Sequence, residues 1–102
     1  MRSIILIVGV AGLMATSLFA ADAAAGKALY GTKCKTCHGA EGTPPAAMAK
    51  AMGVKPLNDA AVQGKSDAEL KAGILKGIRK MPAQKVSEAE ADNLVAAVRG
   101  MK

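Results

Sequence analysis

The chain's two cysteines and its single histidine fall within five consecutive positions, Cys34-Lys35-Thr36-Cys37-His38. This block constrains the fold more than any other feature, because of what the rest of the sequence lacks. Of the hydrophobic residues 22 are alanines, which fill little core volume, and tryptophan is absent. Tyr30 and Phe19 are the two aromatic side chains of all 102 residues. That length allows one small domain. A small domain so poor in large apolar groups needs a staple, whether a disulfide, a metal or a cofactor.

Three staples are compatible with thiols at this spacing. A disulfide between Cys34 and Cys37 is allowed in an exported protein. A redox-active Cys-x-x-Cys, however, belongs in a βαβ setting, and no strand-rich segment surrounds this block. Structural zinc takes four protein ligands. Cys34, Cys37 and His38 supply three, and no carboxylate stands where it would complete the set. The third reading is c-type haem attachment, for which Cys-x-x-Cys-His is the signature. Two thiols add to the two vinyl groups of one haem, and the adjacent histidine ligates the iron. On one helical turn positions 34 and 37 share a side and 38 projects beside them. Haem also brings the large apolar body that the composition lacks. Cys34 and Cys37 are therefore expected to hold haem c covalently, with His38 as an axial ligand.

Residues 1–20 have the layout of a secretory signal peptide. Arg2 is the basic start, Ile4 to Phe19 is an uncharged apolar stretch, and the small residues Ala20, Ala21 and Ala23 follow. The stretch is shorter than the ~20 residues that span a bilayer. We expect a signal peptide at 1–21, cleaved somewhere between 20 and 23, and a single domain at 22–102. No second apolar run would keep the mature chain in a membrane. Losing Arg2 lowers the formal charge from +6 to +5.

Three longer helices are predicted. The first covers Ala23 to Lys33, with Asp22 as its N-cap. Ser66-Asp67-Ala68-Glu69 and Ser87-Glu88-Ala89-Glu90 are capping boxes that open the other two. The Ser66 helix is expected to reach about Ile78, with Leu70, Ile74 and Ile78 on one face. The Ser87 helix stops at Gly100 and carries Ala91, Leu94, Val95 and Val98 at helical spacing. Shorter helices are expected at Ala46–Met52, ended by Gly53, and at Asp59–Gln63, and no strand is expected. Gly73 and Gly77 each cost a helix up to ~1 kcal/mol against alanine. Their spacing suggests a face open to close approach by another backbone or the haem.

With the histidine used on one side of the iron, the other axial position needs a methionine, a lysine, water or nothing, and the methionines are weighed first. Met48 and Met52, spaced i, i+4, form a packing face and are the lesser alternative. Met101 lies beyond Gly100 at the terminus, where chains fray. Met81 follows a helix, and Pro82 stiffens the backbone beside it. His/Met ligation closes the iron to exogenous ligands and raises its potential, which favours electron transfer.

These features together resemble the class I bacterial c-type cytochromes over the whole mature chain. The matching residues are Cys34, Cys37, His38 and Gly39, then Leu70, Ile74, Gly77, Met81 and Pro82. The resemblance implies a small all-α class I cytochrome c fold, three to five helices wrapped around one covalently attached haem. It implies that the first and last helices cross near Ala25, Gly26 and Tyr30. It points to Met81 as the second axial ligand, and to a proline carbonyl, of Pro44 or Pro45, accepting from the second N–H of His38.

Lys33 and Lys35 flank the cysteines, while Arg79, Lys80 and Lys85 flank Met81. Both groups should border one rim. Such a rim suits an acidic redox partner by raising the encounter rate, or simply solvates an exported protein. A nucleic-acid partner is disfavoured by the absence of any binding motif and by export. No acid/base pair or nucleophile constellation points to an enzyme. The expected function is that of a monomeric, soluble, periplasmic electron carrier between protein redox partners. Two alternatives are a cytochrome subunit of a larger oxidoreductase, and a haem sensor or enzyme with an open distal position.

Overall fold

The computed structural model describes residues 21–102. The expected signal peptide, apart from Ala21, lies outside the described residues. Six helical segments follow in order: α1 (Ala23–Lys33), α2 (Lys35–His38), α3 (Ala46–Met52), α4 (Ala60–Gln63), α5 (Asp67–Lys76) and α6 (Glu88–Arg99). Two of them, α2 and α4, are single turns. Among the described residues there is no strand, and one isolated bridge pairs Ile78 with Met81.

Short-range hydrogen bonds explain most of the boundaries. The Asp22 carboxylate accepts from the Ala25 N–H at 3.0 Å and starts α1. Both capping boxes form: Ser66 with Glu69, and Ser87 with Glu90. In each, hydrogen bonds from the serine backbone and hydroxyl hold the glutamate carboxyl below its ordinary range. Gly53, in the left-handed region at φ 67°, ends α3.

One boundary differs from the expectation. α5 stops at Lys76, before Ile78. Gly77 adopts φ 81°, and a Cβ there would meet the Met81 carbonyl oxygen at 2.8 Å. The chain therefore turns at Gly77, and Ile78 leaves the helix face to sit 44% exposed in the following turn. Gly73 has only an ordinary contact to spare, 3.7 Å to the Ile78 side chain. The close approach belongs to Gly77 alone of the two.

The core lies where α1 crosses α6, the largest helix contact in the fold. Gly26 makes the crossing possible, since a Cβ there would overlap the Asn93 backbone carbonyl. Tyr30, Leu57 and Leu94 form the buried centre, and Ile74, Val86 and Val98 pack around it. Met101 also packs against this centre, so the terminal methionine is tied down instead of frayed. Arg99 fastens the end of α6 to the α4–α5 connection. Its guanidinium donates to the Gln63 carbonyl at 2.8 Å and to the Asp67 carboxylate at 2.9 Å.

Candidate functional site

The cysteine block sits where α1 ends and α2 begins. The Cys34 N–H donates to the Tyr30 carbonyl at 2.9 Å as the last bond of α1. The His38 N–H then donates back to the Cys34 carbonyl at 2.9 Å, closing one further turn. Cys34, Cys37 and His38 thus share a single helical turn, as their spacing suggested. Gly39 at φ 82° reverses the chain immediately afterwards, and a Cβ there would overlap the Thr43 carbonyl. The Tyr30 hydroxyl donates to the Gly39 carbonyl at 2.6 Å, so the core's one aromatic residue also holds the backbone next to His38.

A cleft of about 500 Å³ opens in front of this turn. Cys34, Cys37 and His38 line one part of it and Ile78 to Pro82 another. A second, inner cavity of about 170 Å³ reaches towards Tyr30 and Leu94. Cys34, His38 and Met81 line both. Met52 lines the outer cleft alone, and Met48 and Met101 line neither. Met81 is held by a two-residue turn: the Ile78 N–H donates to the Met81 carbonyl at 3.1 Å, and the Met81 N–H to the Ile78 carbonyl at 2.9 Å. The turn tip is pinned across the cleft, where Lys80 Nζ donates to the Ala51 carbonyl at 3.2 Å.

Cys34 and Cys37 are half-buried free thiols, and burial pushes the Cys34 thiol up from its ordinary pKa. Burial pushes His38 down, favouring the neutral imidazole that binds metals. His38 Nδ1 is buried without a hydrogen-bond partner. The expected bond to Pro44 or Pro45 is therefore absent. The Pro45 carbonyl instead accepts from the Ala49 N–H at 2.9 Å and opens α3. Among the described residues no three His, Cys, Asp or Glu side chains converge as metal ligands, so no carboxylate completes a zinc site.

The donor set and the cleft fit a haem. Two thiols stand one turn apart beside a neutral histidine, a thioether shares both cavities, and the walls include Val54, Leu57 and Val62. Lys33, Lys55, Lys65, Arg79 and Lys80 line the outer cleft, and no carboxylate does. Lys33, Arg79 and Lys80 thus share a rim as expected, whereas Lys35 and Lys85 stand outside its lining. Sequence reasoning did not find Lys55, Lys65 or Leu57, because no motif marks them. They reach the cleft only through the loop that follows α3 and the turn that follows α4.

Comparison with known proteins agrees with this geometry. Residues 21–97 match the family described as cytochrome C oxidase, cbb3-type, subunit III. A solved structure described as "KustC0563 c-type cytochrome" is similar, with 34% sequence identity and a TM-score of 0.67. The match covers 76% of this chain and 96% of that one. No curated protein matches the sequence. The chain belongs to the cytochrome C oxidase, cbb3-type, subunit III family, as a class I monohaem c-type cytochrome with covalently bound haem c and a role in haem-based electron transfer.

Proposed function

We propose that the protein is an exported, periplasmic electron carrier, and not itself an enzyme, in which four side chains hold the cofactor. Cys34 and Cys37 would form the thioether links, and His38 and Met81 would ligate the iron. The domain doing this runs to residue 102 after removal of a signal peptide that ends somewhere between residues 20 and 23. The observation that supports the reading is that Met81 lines the same two cavities as Cys34 and His38, which lie 47 and 43 positions before it in sequence. When bound, the haem supplies a one-electron iron couple.

The chain's own contribution is positioning and exclusion. The α2 turn fixes Cys34, Cys37 and His38 as one rigid unit. The hydrogen-bonded turn at Ile78–Met81 presents a soft thioether, which favours the reduced iron relative to harder ligands. Leu57 and Val62 keep the interior apolar, which limits water around the site. The cations at the cleft attract an acidic protein partner and raise the rate of encounter. Among the described residues no helix is long and apolar enough to cross a membrane.

A second reading is a cytochrome subunit within a larger oxidoreductase, favoured by the family's own description as an oxidase subunit. Isolation from the native source separates the two: a carrier elutes as a free monomer, and a subunit elutes with its complex.

The axial assignment is tested by titrating ferrous holoprotein with carbon monoxide, beside a Met81→Ala variant. Wild type should not bind carbon monoxide and the variant should. Ready binding by wild type would mean an open distal position and would move the sensor or enzyme reading ahead.

A further inference from the structure

The signal-peptide reading proposed above leaves the processed bond open between residues 20 and 23. The sequence rule for such sites asks for small residues at the third and first positions before the cut. Ala21-Asp22-Ala23 satisfies it best, which would place the cut after Ala23. Phe19-Ala20-Ala21 and Leu18-Phe19-Ala20 satisfy it less well, having a large residue at the third position.

The contacts of Asp22 point the other way. Its carboxylate accepts from the Ala25 N–H at 3.0 Å. Its carbonyl accepts from the Gly26 N–H at 3.0 Å. Its own amide donates to Asn93 Oδ1 at 2.8 Å, a contact spanning 71 positions of sequence. Asn93 is also the residue whose backbone carbonyl presses on Gly26 at the α1–α6 crossing. Asp22 therefore closes the first turn of α1 and fastens that end of the helix to α6.

A cut after Ala23 would remove all three bonds together. It would leave the first N–H groups of α1 without a cap, and it would place a free ammonium at the positive end of the helix dipole. A cut after Ala20 keeps every one of these contacts, and a cut after Ala21 keeps both that Asp22 accepts, while its nitrogen, then an ammonium, can still donate to Asn93 Oδ1 beside the Asp22 carboxylate. Leader removal precedes folding, so the contacts do not guide the peptidase. They identify Asp22 as a working residue of the folded domain. On these grounds, and resting on the signal-peptide reading, we infer that processing occurs on the N-terminal side of Asp22 and that Asp22 is retained in the mature protein.

The test is the intact mass of haem-loaded protein recovered after export of the full chain in a host that matures c-type cytochromes. A mature chain starting at Ala21 or Asp22 is the expected result. A start at Ala23 or Ala24 overturns the inference while leaving the signal peptide standing. An unprocessed mass overturns the signal-peptide reading and the inference with it. A second measurement compares holoproteins made to begin at Asp22 and at Ala24 by exchanging the leader. Loss of the N-cap should lower the folded-to-unfolded ratio by about 2- to 30-fold, read as a lower denaturant midpoint. Equal midpoints would show that the domain does not use Asp22.

Discussion

At the scale of single residues, Tyr30 joins the core to the site. It is 2% exposed, and its hydroxyl donates to the Gly39 carbonyl beside the histidine. Burial is the main reason its pKa is pushed up to about 12, with the neighbouring Cys34 adding to the shift and the Gly42 backbone opposing it. A tyrosine whose folded pKa lies above its unfolded value stabilises the fold fully below the unfolded value. That contribution fades as pH rises through the folded one. Wild type should therefore lose stability between pH about 10 and about 12. Tyr30→Phe should lack this alkaline loss, and at neutral pH it should be less stable by about 1 kcal/mol for the missing hydrogen bond. Denaturant midpoints measured across that range decide the point. A Phe variant with the same alkaline slope would mean that another group titrates.

At the scale of elements, the turn Ile78–Met81 matters most. Its two backbone hydrogen bonds hold Met81 in shape, and Arg79 at φ 52° is a non-glycine residue in left-handed geometry. Among the described residues only Lys80, reaching the Ala51 carbonyl at the end of α3, ties the turn tip across the cleft by a side-chain hydrogen bond. Exposed charged contacts contribute up to ~1 kcal/mol. If Met81 ligates the iron as proposed, Lys80→Ala should raise the fraction of ferric protein with Met81 displaced, and the apparent cyanide affinity, by roughly 1.5- to 5-fold. Lys80→Arg, which keeps a donor, should restore most of the wild-type affinity. An unchanged cyanide titration in the alanine variant would show that the two backbone bonds suffice.

At the scale of the whole molecule, two properties follow from composition and packing together. The buried centre has three large side chains, Tyr30, Leu57 and Leu94, few for a domain of this length. The cleft beside them is large, about 500 Å³. The cofactor must supply much of the missing apolar contact. A Cys34→Ala, Cys37→Ala double variant, which cannot form the proposed thioether links, should lose cooperative unfolding when haem is absent. Its far-ultraviolet circular dichroism would show helix melting without a sharp transition, and a sharp transition would place the fold's stability in the polypeptide. The second property is charge. Five cations and no carboxylate line the outer cleft, so electron exchange with an acidic protein should slow as salt rises. Stopped-flow rates at rising ionic strength would reveal it, and a flat response would assign those lysines to solvation.

Features that depend on neighbours a few positions apart were legible in the chain. The Asp22 cap, the two Ser-x-x-Glu boxes and the cysteine–histidine turn are closed by hydrogen bonds within about one helical turn, and the Gly53 stop rests on one residue's left-handed backbone. Each is legible because its partners are written side by side. What crosses the fold was not legible. That α5 ends at Gly77 depends on the Met81 carbonyl meeting it, and that Met101 is half-buried depends on a core built from α1, α6 and Leu57. His38 Nδ1 is buried without a hydrogen-bond partner, which the nearness of Pro44 and Pro45 in sequence did not reveal. The outer cleft acquires Lys55 and Lys65 only when the segments after α3 and α4 come to lie beside the cysteine turn. Local hydrogen bonding needs only sequence proximity, whereas these features need elements brought together by burial at the α1–α6 crossing, and that is decided by the tertiary structure.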